Sequence, residues 1–106
     1  MATEMKDFID EAAKAFVPER VANSLADYVF HGVLCGGFLC AVLRNDLIEA
    51  INRADTYNIG RLKEIAMFVH WNVPANICGN EANVSNHIAQ MREAREKEKG
   101  AEDDGQ

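Results

Sequence analysis

Proline is scarce in this chain, two residues in 106, and glycine numbers only seven. So few breakers exclude a loop-rich fold and favour long elements joined by short turns. Three cysteines, none in a Cys-x-x-Cys pair, exclude a disulfide framework and fit a reducing cytoplasm. Long apolar runs are missing as well. The uncharged stretch Val33–Leu43 holds eleven residues, about half of the ~20 that a membrane-spanning helix needs. The N-terminal Met-Ala-Thr-Glu-Met-Lys-Asp carries acids and lacks a secretory pattern, so a cytoplasmic protein is expected. Positive charge is in deficit too, with eleven Lys and Arg against seventeen Asp and Glu, a net of −6. An acidic chain with no evident basic patch does not grip a phosphate backbone, so direct nucleic-acid binding is not expected. A basic protein partner is.

What is present reads as a helical protein. Hydrophobic residues make up 48% of the chain, and helix formers outnumber the β-branched and aromatic residues that strands favour. The length allows one core and no second lobe. We expect an all-α, compact single-domain bundle of about five helices over residues 1–99, with one long central helix. Residues 100–106, Gly-Ala-Glu-Asp-Asp-Gly-Gln, read as a disordered acidic tail. The charge sits at the ends: residues 1–20 carry a net −2, residues 21–79 a net −1 and residues 80–106 a net −3.

The first helix is expected from Glu4 to Phe16, with Met5, Phe8, Ile9, Ala12 and Phe16 as its apolar stripe. Glu4, Asp7 and Glu11 follow at i, i+3 and i+7 on the opposite face, and Asp10 flanks them. Pro18 is well placed to open a second helix, to Phe30, that buries Val21, Leu25, Tyr28 and Val29. His31-Gly32 ends it with a left-handed glycine cap. Gly36-Gly37 breaks the apolar run before a short buried helix, Phe38 to Leu43. Asn45 is a candidate N-cap. Beyond it Leu47, Ile51, Ala54, Asn58, Leu62, Ile65 and Val69 keep one helical phase, which predicts a single long helix to about Trp71, bent at Gly60. The alternative is two helices, the second capped by Asp55 or Thr56. Val73-Pro74 stops either version. Asn80 can cap a last helix with a narrow seam of Val84, Ile88 and Met91, followed by charged residues in which Glu93 and Lys97 can pair.

Site chemistry is weakly represented. His31, Cys35 and Cys40 are close in sequence, and Cys78, His70 and His87 lie elsewhere. None of these has the paired close spacing of a structural zinc site, so no metal and no cofactor is expected. A nucleophilic Cys35 or Cys40 with His31 as base would need a lowered thiol pKa. Its neighbours are apolar, and no Lys or Arg lies between Arg20 and Arg44. Buried free cysteines of this kind act as small hydrophobes. Gly36-Gly37 has neither a preceding strand nor a following Gly-Lys-Ser/Thr, and it reads as a tight turn or close helix approach. Asp46 and Glu49 share a face with Arg53 and describe a solvated, capped helix. Asn58 reads as a buried asparagine that fixes helix register, and Tyr57 and Trp71 as half-buried positions. An enzyme is therefore not expected.

The acidic stripe carries the functional expectation. A row of carboxylates can imitate a phosphate backbone and occupy a basic groove. The expected contact residues are Glu4, Asp7, Asp10 and Glu11, with Glu19 and Asp27 in support.

The run Gly36-Gly37-Phe38-Leu39-x-Ala41-Val42-Leu43-x-Asn45-Asp46-Leu47-x-x-Ala50, followed by Ala54-Asp55-x-x-Asn58, resembles a family of small phage and prophage proteins. The likeness covers about residues 18–88 and departs at Cys78 and Asn80, where that family has tryptophan and serine. It implies a phage origin and a host-cell cytoplasmic location. Small acidic phage proteins of this sort are similar in kind to anti-CRISPR proteins, which bind a Cas protein or surveillance complex and block its DNA-binding surface. The resemblance thus implies an inhibitor of a host nucleic-acid-handling complex, acting as a DNA mimic. The alternative is a homodimeric structural or regulatory adaptor that pairs through the Val84, Ile88 and Met91 seam or through Trp71.

Overall fold

The computed structural model describes residues 4–104, with side chains through residue 97. Among the described residues the chain is all-α: α1 (Met5–Lys14), α2 (Glu19–His31), α3 (Gly37–Leu43), α4 (Leu47–Arg53), α5 (Thr56–Ile59), α6 (Leu62–Asn72) and α7 (Glu81–Asp104), with a 3-10 turn at Ala75–Ile77. α1 packs on α2, and α3 packs on both α4 and α6. No helix among the described residues is long and apolar enough to cross a membrane.

α1 buries Phe8 and Ala12 as its stripe predicts. Phe8 sits edge-on to Phe30, centroids 5.9 Å apart, and to Phe68 at 5.0 Å, which ties α1 to α2 and α6. Phe16 departs from the expectation. α1 closes at Ala15, and Phe16 takes a left-handed conformation at φ 65. Its N–H donates to the Ala13 carbonyl (3.1 Å) and Val17 N–H to Ala12 (3.0 Å), the paired bonds of a Schellman cap. That geometry turns Phe16 out of the stripe, and it is 70% exposed.

α2 opens after Pro18 and buries Val21, Ala22, Leu25, Ala26 and Tyr28. Gly32 provides its left-handed cap at φ 66, and a Cβ there would overlap Met91. That position needs glycine twice over, for its dihedral and for its contact. α3 is buried through Phe38, Leu39, Cys40, Ala41 and Leu43. Gly37 lies under Arg53, whose guanidine end would be 2.9 Å from an added Cβ, so Gly37 permits a close approach, whereas a Cβ on Gly36 would meet nothing.

The segment predicted as one long helix is three. Arg44 caps α3, and Asn45, expected as the next N-cap, instead takes φ 64 at the centre of a second Schellman cap. The bonds run from Asn45 N–H to Val42 and from Asp46 N–H to Ala41. Asp46 then caps α4 by accepting from Glu49 N–H. α4 stops at Arg53 because Ala54 and Asp55 are extended, and the Asp55 carboxylate accepts from Asn58 N–H at 2.7 Å to start α5. Two Asp caps thus compete locally with helix continuation and win. The apolar phase breaks with them. Leu47, Ile48 and Ile51 are exposed, whereas Ile65, Phe68 and Val69 of α6 are buried. Asn58 is half-buried at the end of the single-turn α5, so it does not act as a core register residue.

The approach to α7 is laced to the rest of the molecule. The Tyr28 hydroxyl donates to the Ile77 carbonyl at 2.6 Å, and Gly79 N–H donates to Leu43 at 2.6 Å. Asn80 caps α7 by accepting from Asn83 N–H at 2.8 Å, as expected, and Asn83 Nδ2 donates back to Cys78 at 2.9 Å. Val84 is buried and Ile88 packs on the core, joined by His87 between them. His87 Nε2 donates to the Tyr28 carbonyl at 2.8 Å, which places the ring proton on Nε2, and the two rings meet at 4.8 Å. Sequence reasoning missed His87. The tail expected at residues 100–106 falls where no side chain is described, and residues 105 and 106 lie outside the described residues.

Candidate protein-binding face

The expected contact residues divide between elements. Asp7, Asp10 and Glu11 project from α1 and are exposed, and Glu4, also exposed, is the residue before its first turn. At about 100° per residue, Glu4 and Glu11 flank the packed face of Met5, Phe8, Ile9 and Ala12, while Asp7 and Asp10 lie nearly opposite it. Lys14 partly answers Glu11 across 3.4 Å with both side chains largely in water, an ion pair of little energetic weight. Glu19 is exposed on the first turn of α2, in a depression with Asp55 and Tyr57. Asp27 belongs to a third place. It is half-buried and close enough to Cys35 to help raise that thiol's pKa, so it sits at the α2–α3 junction. Four of the six expected residues therefore share one helix, and Glu19 and Asp27 do not join them.

Apolar side chains complete the α1 face, and the periodicity did not announce them. Ala15 at the end of α1 meets Lys63, Met67 and Trp71 of α6 across a depression of about 260 Å³. Lys63, Met67 and Trp71 are i, i+4 and i+8 on α6, so they form one ridge beside the end of α1. Trp71 is 70% exposed and Met67 46%, and Phe16 follows Ala15 directly. Trp71 is thus a surface residue, not the half-buried position expected of it. Large exposed aromatics at the edge of a charged helix have the composition of a contact surface. The signal that could have found Phe16 was Pro18 two residues on, which holds Val17 extended and so ends the helix before it.

Cys35 and Cys40 are buried and Cys78 is half-buried. Burial pushes the Cys35 thiol up to about 12, with Cys40 and Asp27 adding to the shift. Cys35 Sγ donates to Ser24 O at 3.5 Å and Cys40 Sγ to Cys35 O at 3.4 Å. Burial also raises Cys40, against a smaller opposing pull from Arg44, and raises Cys78. A raised thiol is a poor nucleophile at neutral pH. Among the described residues no three His, Cys, Asp or Glu side chains are grouped to hold a metal.

Compared with family models, with curated proteins and with solved structures, the chain matches none of them.

Proposed function

We propose that this chain is a non-catalytic binding protein of phage origin that lays α1 on the basic, nucleic-acid-binding surface of a host protein and blocks it. In this reading the carboxylates of Glu4, Asp7, Asp10 and Glu11 stand in for phosphates, and Phe16, Met67 and Trp71 are the apolar anchors beside them. The resemblance to phage proteins supplies the partner class, a Cas protein or surveillance complex. The observation that carries the reading is Phe16. A bulky residue in the left-handed region costs roughly 1–2 kcal/mol, and burial does not repay it here because the ring is 70% exposed. The two Schellman bonds offset part of that cost but use only the backbone, so an exposed aromatic ring at this position fits a contact residue.

The test is capture from a bacterial lysate by the wild-type chain, a variant with Asp7, Asp10 and Glu11 changed to Lys, and Phe16→Gly. The expected result is one partner retained by the wild type, lost with the reversed charges and weakened with Phe16→Gly. The partner's nucleic-acid binding should also fall when the wild-type chain is added. Equal capture by the charge-reversed variant would refute the mimicry.

A homodimeric adaptor is the second reading, and α4 favours it with Leu47, Ile48 and Ile51 exposed in one short helix. The seam of Val84, Ile88 and Met91 is not available for that contact. Val84 is 3% exposed and Met91 lies over Gly32, so the seam is used within the chain. Sedimentation of wild type against Ile48→Glu distinguishes a dimer from a monomer.

A further inference from the structure

A second surface, built from other elements, carries the opposite sign. A groove of about 570 Å³ runs between the α2–α3 junction, α3 and the first half of α7. Its lining holds Arg44, Arg53 and Arg92 against a single acid, Glu81, in a molecule whose net charge is −6. Arg53 is paired with Glu49, but neither Arg44 nor Arg92 makes an ion pair among the described residues. Between the guanidiniums the lining is apolar, with Leu34 at 60% exposure, Ile88 half-buried and Ala89 exposed.

We propose that this groove receives an acidic amphipathic helix from a partner protein, apolar face on Leu34, Ile88 and Ala89, carboxylates on Arg44, Arg53 and Arg92. Charge complementarity selects the occupant. Guanidinium forks match carboxylates bidentately, and the three come from three separate elements, which suits several carboxylates spaced along a helix better than one headgroup. An apolar floor between them is what a helix with i, i+3, i+4 and i+7 anchors covers. The stretch of α7 from Glu81 to Arg92 spans about 17 Å at 1.5 Å per residue, room for three turns of a docked helix. No aromatic side chain lines the groove, so it offers no stacking platform for single-stranded nucleic acid.

The proposal is tested by fluorescence anisotropy with a labelled synthetic helix bearing leucines at i, i+3, i+4 and i+7 and glutamates elsewhere. Parallel arms use the same peptide with lysine for glutamate, and dodecanoate. Saturable binding of the acidic peptide is expected, weakened roughly tenfold by Arg44→Glu with Arg92→Glu. Leu34→Asp, an exposed loop change, should weaken it independently of any effect of the arginine changes on folding. Asp7→Lys with Glu11→Lys should leave it unchanged, which separates this groove from the α1 face. Amide shifts on titration should centre on residues 34, 89 and 92. Absent saturation, equal binding of the lysine peptide, indifference to both groove variants, or an Arg44- and Arg92-dependent preference for dodecanoate would each overturn it.

Discussion

α6 and α4 carry similar apolar content at similar spacing, yet one builds the interior and the other faces water. α6 buries Ile65, Phe68 and Val69, whereas α4 buries only Ala50 and exposes Leu47, Ile48 and Ile51. The difference lies in how each helix is entered. α4 starts from a left-handed Asn45 and an Asp46 cap that set its direction, and it is too short to be re-aimed by packing at its far end. α6 starts after Gly60 and Arg61, and α1 and α3 close over it through Phe8 and the α3 contact. Spacing makes a helix amphipathic; the caps decide which way its stripe points.

The largest effect that sharpens this contrast is truncation on the two sides of it. Ile65, fully buried on α6, should lose about 3 kcal/mol of stability on change to Ala. Ile48→Ala, at 68% exposure, should change it by less than about 0.5 kcal/mol. Chemical denaturation of the two variants measures both, and similar losses would break the comparison.

A smaller loss is expected where α2 holds the turn ahead of α7. Tyr28→Phe removes the hydroxyl that donates to Ile77 and should cost about 1–2 kcal/mol. Hydrogen exchange should quicken at residues 77–80 while α1 is unaffected. Burial and its neighbours also push the Tyr28 hydroxyl well above the ordinary tyrosine range. The native chain should therefore not show phenolate absorbance from it near pH 10.

The buried thiols give a pH dependence of defined sign. Cys35 keeps its proton to about 12 in the folded chain, while an unfolded thiol ionises near 8.5. Between these values the unfolded state binds fewer protons, so stability falls as pH rises from about 9 towards 12. Thermal melts across that range should decline with a slope that Cys35→Ala reduces. At neutral pH iodoacetamide should leave Cys35 unmodified until the chain unfolds.

The smallest effect has the opposite sign. Phe16→Gly relieves the left-handed strain at a small entropic cost, and it should raise stability by up to about 1 kcal/mol. A loss of stability on that change would mean that the exposed ring supports the fold.

The helical class, the ends of α2, the Gly32 cap, the Asn80 cap and the Glu93–Lys97 pair at 3.6 Å were all legible from residue types and spacing. Each is a local signal with a local cause. The residue types offered a break before Leu47 and a cap at Asp55, but the unbroken apolar phase favoured one helix beyond Asn45. Spacing does not report that an Asp side chain captures the N–H three residues on. The groove was not legible. Arg92 is far in sequence from Arg44 and Arg53, which sit on different elements, so only the tertiary fold collects the three. The four carboxylates at α1 were legible for the converse reason: one helix carries them all.

The central claim is that α1 competes with nucleic acid for a partner's basic surface, and competition measures it most directly. Increasing amounts of the wild-type chain are added to the captured partner bound to a labelled oligonucleotide, and anisotropy follows release. The account predicts full displacement by the wild type and none by the variant with Asp7, Asp10 and Glu11 changed to Lys. Simultaneous binding of chain and oligonucleotide, or equal displacement by the reversed variant, would contradict it.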